Sequence, residues 1–176
     1  MPTPTPTPPT PELRIEFAKR ADGAAVLRCM RPDGTATWQR HDGRQAMFFP
    51  FHDLSHFAVE TTLGFRGGFY GLIASGWEIA DTDGKGSRGP IPAEAVLVEH
   101  VVGMLDRERI GGADVMTAAE LNAQLRQLEQ EGRLECTRTF TDEELRAVRA
   151  RTDALHAQWA ALAPGGTMAL SFDRGA

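Results

Sequence analysis

From residue 12 onward, apolar residues recur in short alternating runs that Asp-Gly pairs interrupt. Leu13, Ile15 and Phe17 fall on one face of an extended segment, because side chains of a strand point to opposite sides in turn. Asp22-Gly23, Asp33-Gly34 (preceded by Pro32) and Asp42-Gly43 each suit a tight hairpin turn, where glycine takes a positive φ without steric cost. Three such turns predict four strands in an antiparallel meander, over 12–19, 24–31, 35–40 and 45–49. Pro50 lacks a backbone donor but fits the first turn of a helix, so the spacing predicts that the sheet stops there and that a helix covers 52–63.

The pattern then changes from a period of two to a helical one. Gly64, Gly67 and Gly68 interrupt, and 69–79 reads as a second short helix in which Gly71 and Ser75 leave room for a close neighbour. Residues 81–89 are polar and glycine-rich, bounded by Pro90 and Pro92, which predicts an exposed loop. A helix over 92–107 aligns Ala95, Val98, Val102 and Leu105 on one inward stripe, with Ile91 just before it. Two further helices announce their starts with Thr-x-x-Glu capping boxes, Thr117 with Glu120 and Thr141 with Glu144, flanked by Met116/Leu121 and Phe140/Leu145 as hydrophobic staples. Gly132 and Pro164-Gly165-Gly166 stop them, and Met168, Leu170 and Phe172 alternate in a segment, 167–172, able to return to the sheet as a last strand. The expected fold is α+β: an N-terminal antiparallel meander packed against a layer of about five helices. The expectation is one domain over 12–176, its helical part over 50–164, preceded by a disordered Pro/Thr tail over 1–11.

Composition narrows the function classes. A formal charge of -5 and the lack of any Lys/Arg run argue against nucleic acid as the main partner. No apolar run approaches the roughly 20 residues of a membrane span, and the first thirty residues hold no apolar stretch behind positive charge, so a soluble cytoplasmic protein with no membrane partner is expected. Cys29 and Cys136 are too few and too far apart for a disulfide framework and read as ordinary thiols.

The segment Phe51-His52-Asp53-Leu54-Ser55-His56-Phe57-Ala58-Val59-Glu60 carries the chemistry. Helical residues four apart lie about 40° apart in azimuth and about 6 Å along the axis, a spacing at which two imidazoles can hold one divalent metal ion, zinc foremost. At least one carboxylate is needed to complete the ligand set. Glu60 continues the same face and is a candidate ligand, a partner of His56, or the catalytic base for a metal-bound water. Glu94 falls within the inward stripe of its helix and is a candidate ligand from a second element; Glu78 is a further option. Acidic residues in a first helical turn also favour the helix dipole, which accounts for Glu94 without a metal. Asp53 either orients an imidazole or caps a helix beginning at Leu54. His41, His100 and His156 read as structural or solvated. Gly84-Lys85-Gly86-Ser87-Arg88-Gly89 matches Gly-x-Gly-x-x-Gly but lacks the preceding strand of a dinucleotide fold, so it reads as a linker or lid. Asp81-x-Asp83-Gly84 lacks the terminal glutamate of a calcium loop.

His52-Asp53-Leu54-Ser55-His56 resembles the His-Asp-x-x-His zinc motif of a ubiquinone-biosynthesis protein family, a resemblance that implies a zinc site at the two histidines. The family's motif is completed by a glutamate twelve residues past the second histidine, and Gly68 stands at that position here. The His52-Asp53 doublet is also similar to that of HD-type phosphohydrolases, whose scaffold is all-helical. Three functions stand open at this point: a metal-dependent hydrolase acting on a small-molecule substrate, a non-catalytic module binding a protein or small ligand, and an HD-like phosphohydrolase variant.

Overall fold

A computed structural model describes residues 12–86, 88–112, 115–135 and 138–173; the Pro/Thr segment and Cys136 lie outside the described residues. Strands β1 (Glu12–Lys19), β2 (Ala25–Met30) and β3 (Ala36–His41) form the expected meander. Gly23 and Gly34, both at φ +86°, close its two turns, and each turn is braced by an aspartate that accepts a backbone N–H two residues on, Asp22 from Ala24 and Asp33 from Thr35. Strand β4 (Thr167–Asp173) returns from the C-terminal end and pairs antiparallel with β1, giving the order β3-β2-β1-β4. The fold is α+β, the four-stranded sheet being accompanied by five α-helices among the described residues.

The third Asp-Gly pair does not make a hairpin. Asp42 is the N-cap of helix α1 (Gly43–Leu63), so the strand expected over 45–49 is helical and Pro50 lies inside the helix rather than at its start. Interior proline costs a helical hydrogen bond. Burial decides the matter: Ala46, Pro50, Leu54, Phe57 and Ala58 recur at helical spacing and are all buried, Ala46, Leu54, Phe57 and Ala58 in the core they share with Ile15, Leu27 and Phe172 of the sheet. The second short helix also stops earlier than expected: α2 spans Phe69–Ala74, and a single 3₁₀ turn follows at Ile79–Asp81.

Helices α3 (Ala93–Gly111), α4 (Ala118–Gln130) and α5 (Asp142–Ala161) complete the layer, and both capping boxes form as the sequence dictates. Among the described residues, no helix is long and apolar enough to cross a membrane. Two apolar clusters meet at α1. One lies between the sheet, α1 and α5, with Phe17, Leu54 and Trp159; the other joins α1 through Val59 to Val98 and Val102 of α3, Leu121 of α4 and Leu145 of α5. Helix α1 is therefore covered on all sides from Asp53 through Glu60, every residue of which is buried. Four of those residues, Asp53, Ser55, His56 and Glu60, are polar, and buried polar groups are costly unless each finds a partner. Those partners define the site.

Candidate metal centre

Helices α1 and α3 pack so that His52 meets Asp106 and His56 meets Glu99. The Nδ1 of His52 is 3.0 Å from Oδ2 of Asp106, and the Nε2 of His56 is 3.4 Å from Oε1 of Glu99. Glu99 and Asp106 are seven residues apart, two helical turns or about 10.5 Å along one stripe of α3, so a single helix face presents both carboxylates. The two imidazole rings lie 4.8 Å apart between centroids and nearly perpendicular, at 83°. His52, His56 and Glu99 each offer one ligand atom, and these atoms lie within 4.8 Å of one another.

Behind His56, Oε1 of Glu60 lies 3.6 Å from Nδ1, a little long for a hydrogen bond, and that nitrogen has no nearer partner among the described residues. Glu60 is completely buried, and its carboxylate accepts the backbone N–H groups of Tyr70 and Gly71 at 3.1–3.2 Å. Gly68 packs directly on it: a Cβ there would fall 2.5 Å from the Glu60 carboxyl carbon. The position at which the ubiquinone-biosynthesis motif carries a glutamate is thus one where this chain has no space for a side chain, because Glu60 fills it.

Asp106 is held from its other side by the Ser55 hydroxyl, which donates to Oδ1 at 2.8 Å, and Arg109 approaches the same oxygen at 3.7 Å. Burial opposes its charge, but the contacts to His52 and Ser55 win and hold the carboxyl below the ordinary aspartate range. Burial likewise disfavours a charge on His56, yet Glu60 and Glu99 outweigh it and push the imidazole up to about 10. With no ion bound, a proton therefore sits where the two carboxylates demand a cation. Asp53 goes the other way: burial pushes its carboxyl up to about 7, against the pull of His56, His52 and a 3.3 Å hydrogen bond from Gln39.

A cleft of about 380 Å³ opens beside the three donors, with Asp53, Phe49, Phe69, Trp38 and Asp83 on its walls. The loop after the 3₁₀ turn contributes Thr82 and Asp83, so it forms one side of the cleft rather than a phosphate cradle. A Cβ at Gly86 would fall 2.1 Å from Oδ1 of Asp81, so a side chain there would have to displace that carboxylate.

His52 and His56 come together on the wall of the cleft. Glu60 stands behind His56, with its oxygens on backbone donors and away from the cleft walls. Glu94 lies elsewhere: its Oε1 accepts the N–H groups of Arg66 and Gly67 at 2.7 and 2.5 Å and ties down the loop after α1. Glu78 pairs with Arg31 at 3.2 Å. Asp53 lies well inside α1 and caps nothing. His156 is buried, its Nε2 donating to the Phe51 carbonyl at 2.8 Å, and His41 stacks on Phe49. Glu99 and Asp106 escaped the sequence reading. Their signal was there in the run Ala95, Glu99, Val102, Asp106, in which acidic residues alternate with apolar ones along one helix face.

Comparison with known protein families, with curated proteins and with solved structures finds no match for this chain.

Proposed function

We propose that the protein binds a divalent metal ion, zinc foremost, at His52, His56 and Glu99, and that the site serves a metal-dependent hydrolase. The observation that carries this reading is that each imidazole has a buried carboxylate at its Nδ1, Asp106 for His52 and Glu60 for His56, which leaves the Nε2 of each ring for a shared ion. Metal-binding histidines are commonly oriented this way, since the carboxylate fixes the tautomer and raises the basicity of the ligating nitrogen. Three protein donors beside an open cleft match the ligand count of a catalytic zinc site better than that of a closed structural one. A divalent ion there would polarise a substrate carbonyl or acidify a water. Glu60 acts in this scheme by orienting His56, and Asp53, on the cleft wall, is the carboxyl group placed to take up or return a proton.

Elemental analysis of protein purified without a histidine tag tests the reading. Stoichiometric transition metal, lost in His56→Ala, is the expected result. Metal-free protein that takes up no zinc on titration overturns it. In that case a non-catalytic binding module is the better account, supported by the exposed side chains of Trp38, Met47 and Phe48.

A further inference from the structure

We infer that the ligand of this cleft is an uncharged or cationic small molecule with a flat apolar portion, and that phosphoesters and other anions are excluded from it. As a statement about substrate, this rests on the metal reading above; as a statement about binding, it rests on the walls of the cleft. Asp53, Asp83 and Glu99 line those walls, and Glu60 and Asp106 stand directly behind the two histidines. Even without Asp53, the carboxylates of Asp83, Glu99, Glu60 and Asp106 lie on or directly behind these walls, four negative charges against the two of a divalent ion. Arg109 lies 3.7 Å from Asp106 and Lys85, almost fully exposed, 3.6 Å from Asp83, and neither lines the cleft; without an ion the cation on its wall is the protonated His56, which Glu60 and Glu99 offset from either side. Among the described residues that line the cleft, none is lysine or arginine. An entering phosphate would meet like charge on several sides, an arrangement that proteins use to reject partners.

The apolar half of the argument comes from the rings. Phe69 packs 5.5 Å from His56 and Phe49 6.4 Å from His52, so an aromatic side chain flanks each metal-binding imidazole on the cleft wall. Ile79 and Ala80 extend that surface. Aromatic faces beside carboxylates attract a cation through the ring quadrupole and the negative charge together, and they accept a neutral flat group through burial alone. A volume of about 380 Å³ is in the lower part of the range for small-molecule sites.

The test uses three probes of similar size: benzyltrimethylammonium, benzyl alcohol and benzenesulfonate, the last a weak metal ligand that reports charge. Each is titrated into zinc-free and zinc-loaded protein by ligand-observed NMR, with zinc content measured in every sample. The cationic probe is expected to bind at least tenfold more tightly than the sulfonate in both forms, with the alcohol between them. Asp83→Asn, on the exposed loop, should narrow that ratio, and Phe69→Ala should weaken the cation and the alcohol alike. Sulfonate binding as tightly as the cation overturns the inference, and so does a ratio that neither variant changes, since the probes would then be binding elsewhere. If Phe69→Ala does not fold, Asp83→Asn alone decides. Protein that takes up no zinc yet prefers the cation overturns the metal reading and leaves the ligand class standing; zinc-loaded protein with no preference does the reverse.

Discussion

The Nδ1 of His52 and the Oδ2 of Asp106 lie 3.0 Å apart across the contact between α1 and α3, and the same carboxylate takes a 2.8 Å hydrogen bond from Ser55 one turn further along α1. One aspartate thus fixes both the rotation of an imidazole and the register of two helices. If the site holds zinc as proposed, the loss of this carboxylate should be felt in metal affinity before it is felt in the fold. Asp106→Ala is expected to weaken zinc binding by about 10–100-fold, the usual scale for such orienting partners, while Asp106→Asn, which keeps an acceptor for the imidazole N–H, recovers part of the loss. Competition with a chromophoric chelator reads the affinity, and a far-UV spectrum identical to the parent's shows that the helices persist. Unchanged affinity in the alanine variant would remove His52 from the ligand set.

Glu60 is expected to matter for stability as well as for the orientation of His56. Its carboxylate satisfies the N–H groups of Tyr70 and Gly71 and faces His56, and both side chains are buried. Glu60→Ala strands those donors and removes the buried one of the two carboxylates that face the imidazole, leaving only the half-exposed Glu99, and breaking a buried pair in this way costs about 3–5 kcal/mol. Urea denaturation of the metal-free protein measures it. A loss below 1 kcal/mol, on the scale of about 0–1 kcal/mol for an exposed ion pair, would show that Glu60 is not the anchor its burial implies.

Gly68 is predicted to tolerate no side chain. A Cβ placed there meets the Glu60 carboxyl carbon at 2.5 Å and Oε2 at 2.7 Å, so Gly68→Ala must push Glu60 off its backbone donors or move the start of α2. Overpacking of this sort costs about 1–3 kcal/mol, and here the displaced group also orients His56, so zinc affinity should fall along with the urea midpoint. Gly64→Ala supplies the contrast: its φ of +73° makes the substitution strained, but a Cβ there meets nothing within 4 Å, so stability falls while zinc affinity holds.

The legible parts of this fold are those written in local chemistry. Two Asp-Gly turns and two Thr-x-x-Glu boxes depend on neighbours within four residues, and all four form as read. The third Asp-Gly pair failed for a tertiary reason. Nothing local tells a hairpin at Gly43 from a helix start, and what settles it is the burial of Ala46 and Pro50 in line with Leu54, a contact with residues remote in sequence. The site divides in the same way. His52 and His56 share one helix and could be seen from their spacing, whereas Glu99 and Asp106 come from a helix whose facing partner the sequence does not name. Glu94 falls in the Val98/Val102/Leu105 stripe of α3, but at the first turn of that helix it meets the loop after α1 and not the histidines.

Acid should destabilise the protein through His156, on the opposite side of α1 from the cleft. Burial lowers its pKa below the ordinary 6.5, even though its Nε2 donates to the Phe51 carbonyl at 2.8 Å, so the folded protein holds this imidazole neutral. In the unfolded chain it titrates at its ordinary value. As pH falls through about 6.5, the unfolded chain takes up a proton that the native state refuses, and stability declines until the lowered native pKa is reached, below which both states are charged. Asp53, raised from the ordinary 3.8 to about 7, favours the native state as protons are added across that interval and so opposes His156 in the same range, whereas the raised His56 makes its contribution mainly above pH 6.5. The comparison must for that reason be made between parent and His156→Gln, each unfolded in urea at pH 7.5 and pH 5.5. Glutamine can still donate to Phe51 but cannot titrate, so the variant should lose less stability than the parent on acidification. An equal or larger loss in the variant would mean that His156 is already protonated in the native protein, and that the Phe51 carbonyl and the neighbouring Asp106 carry its charge.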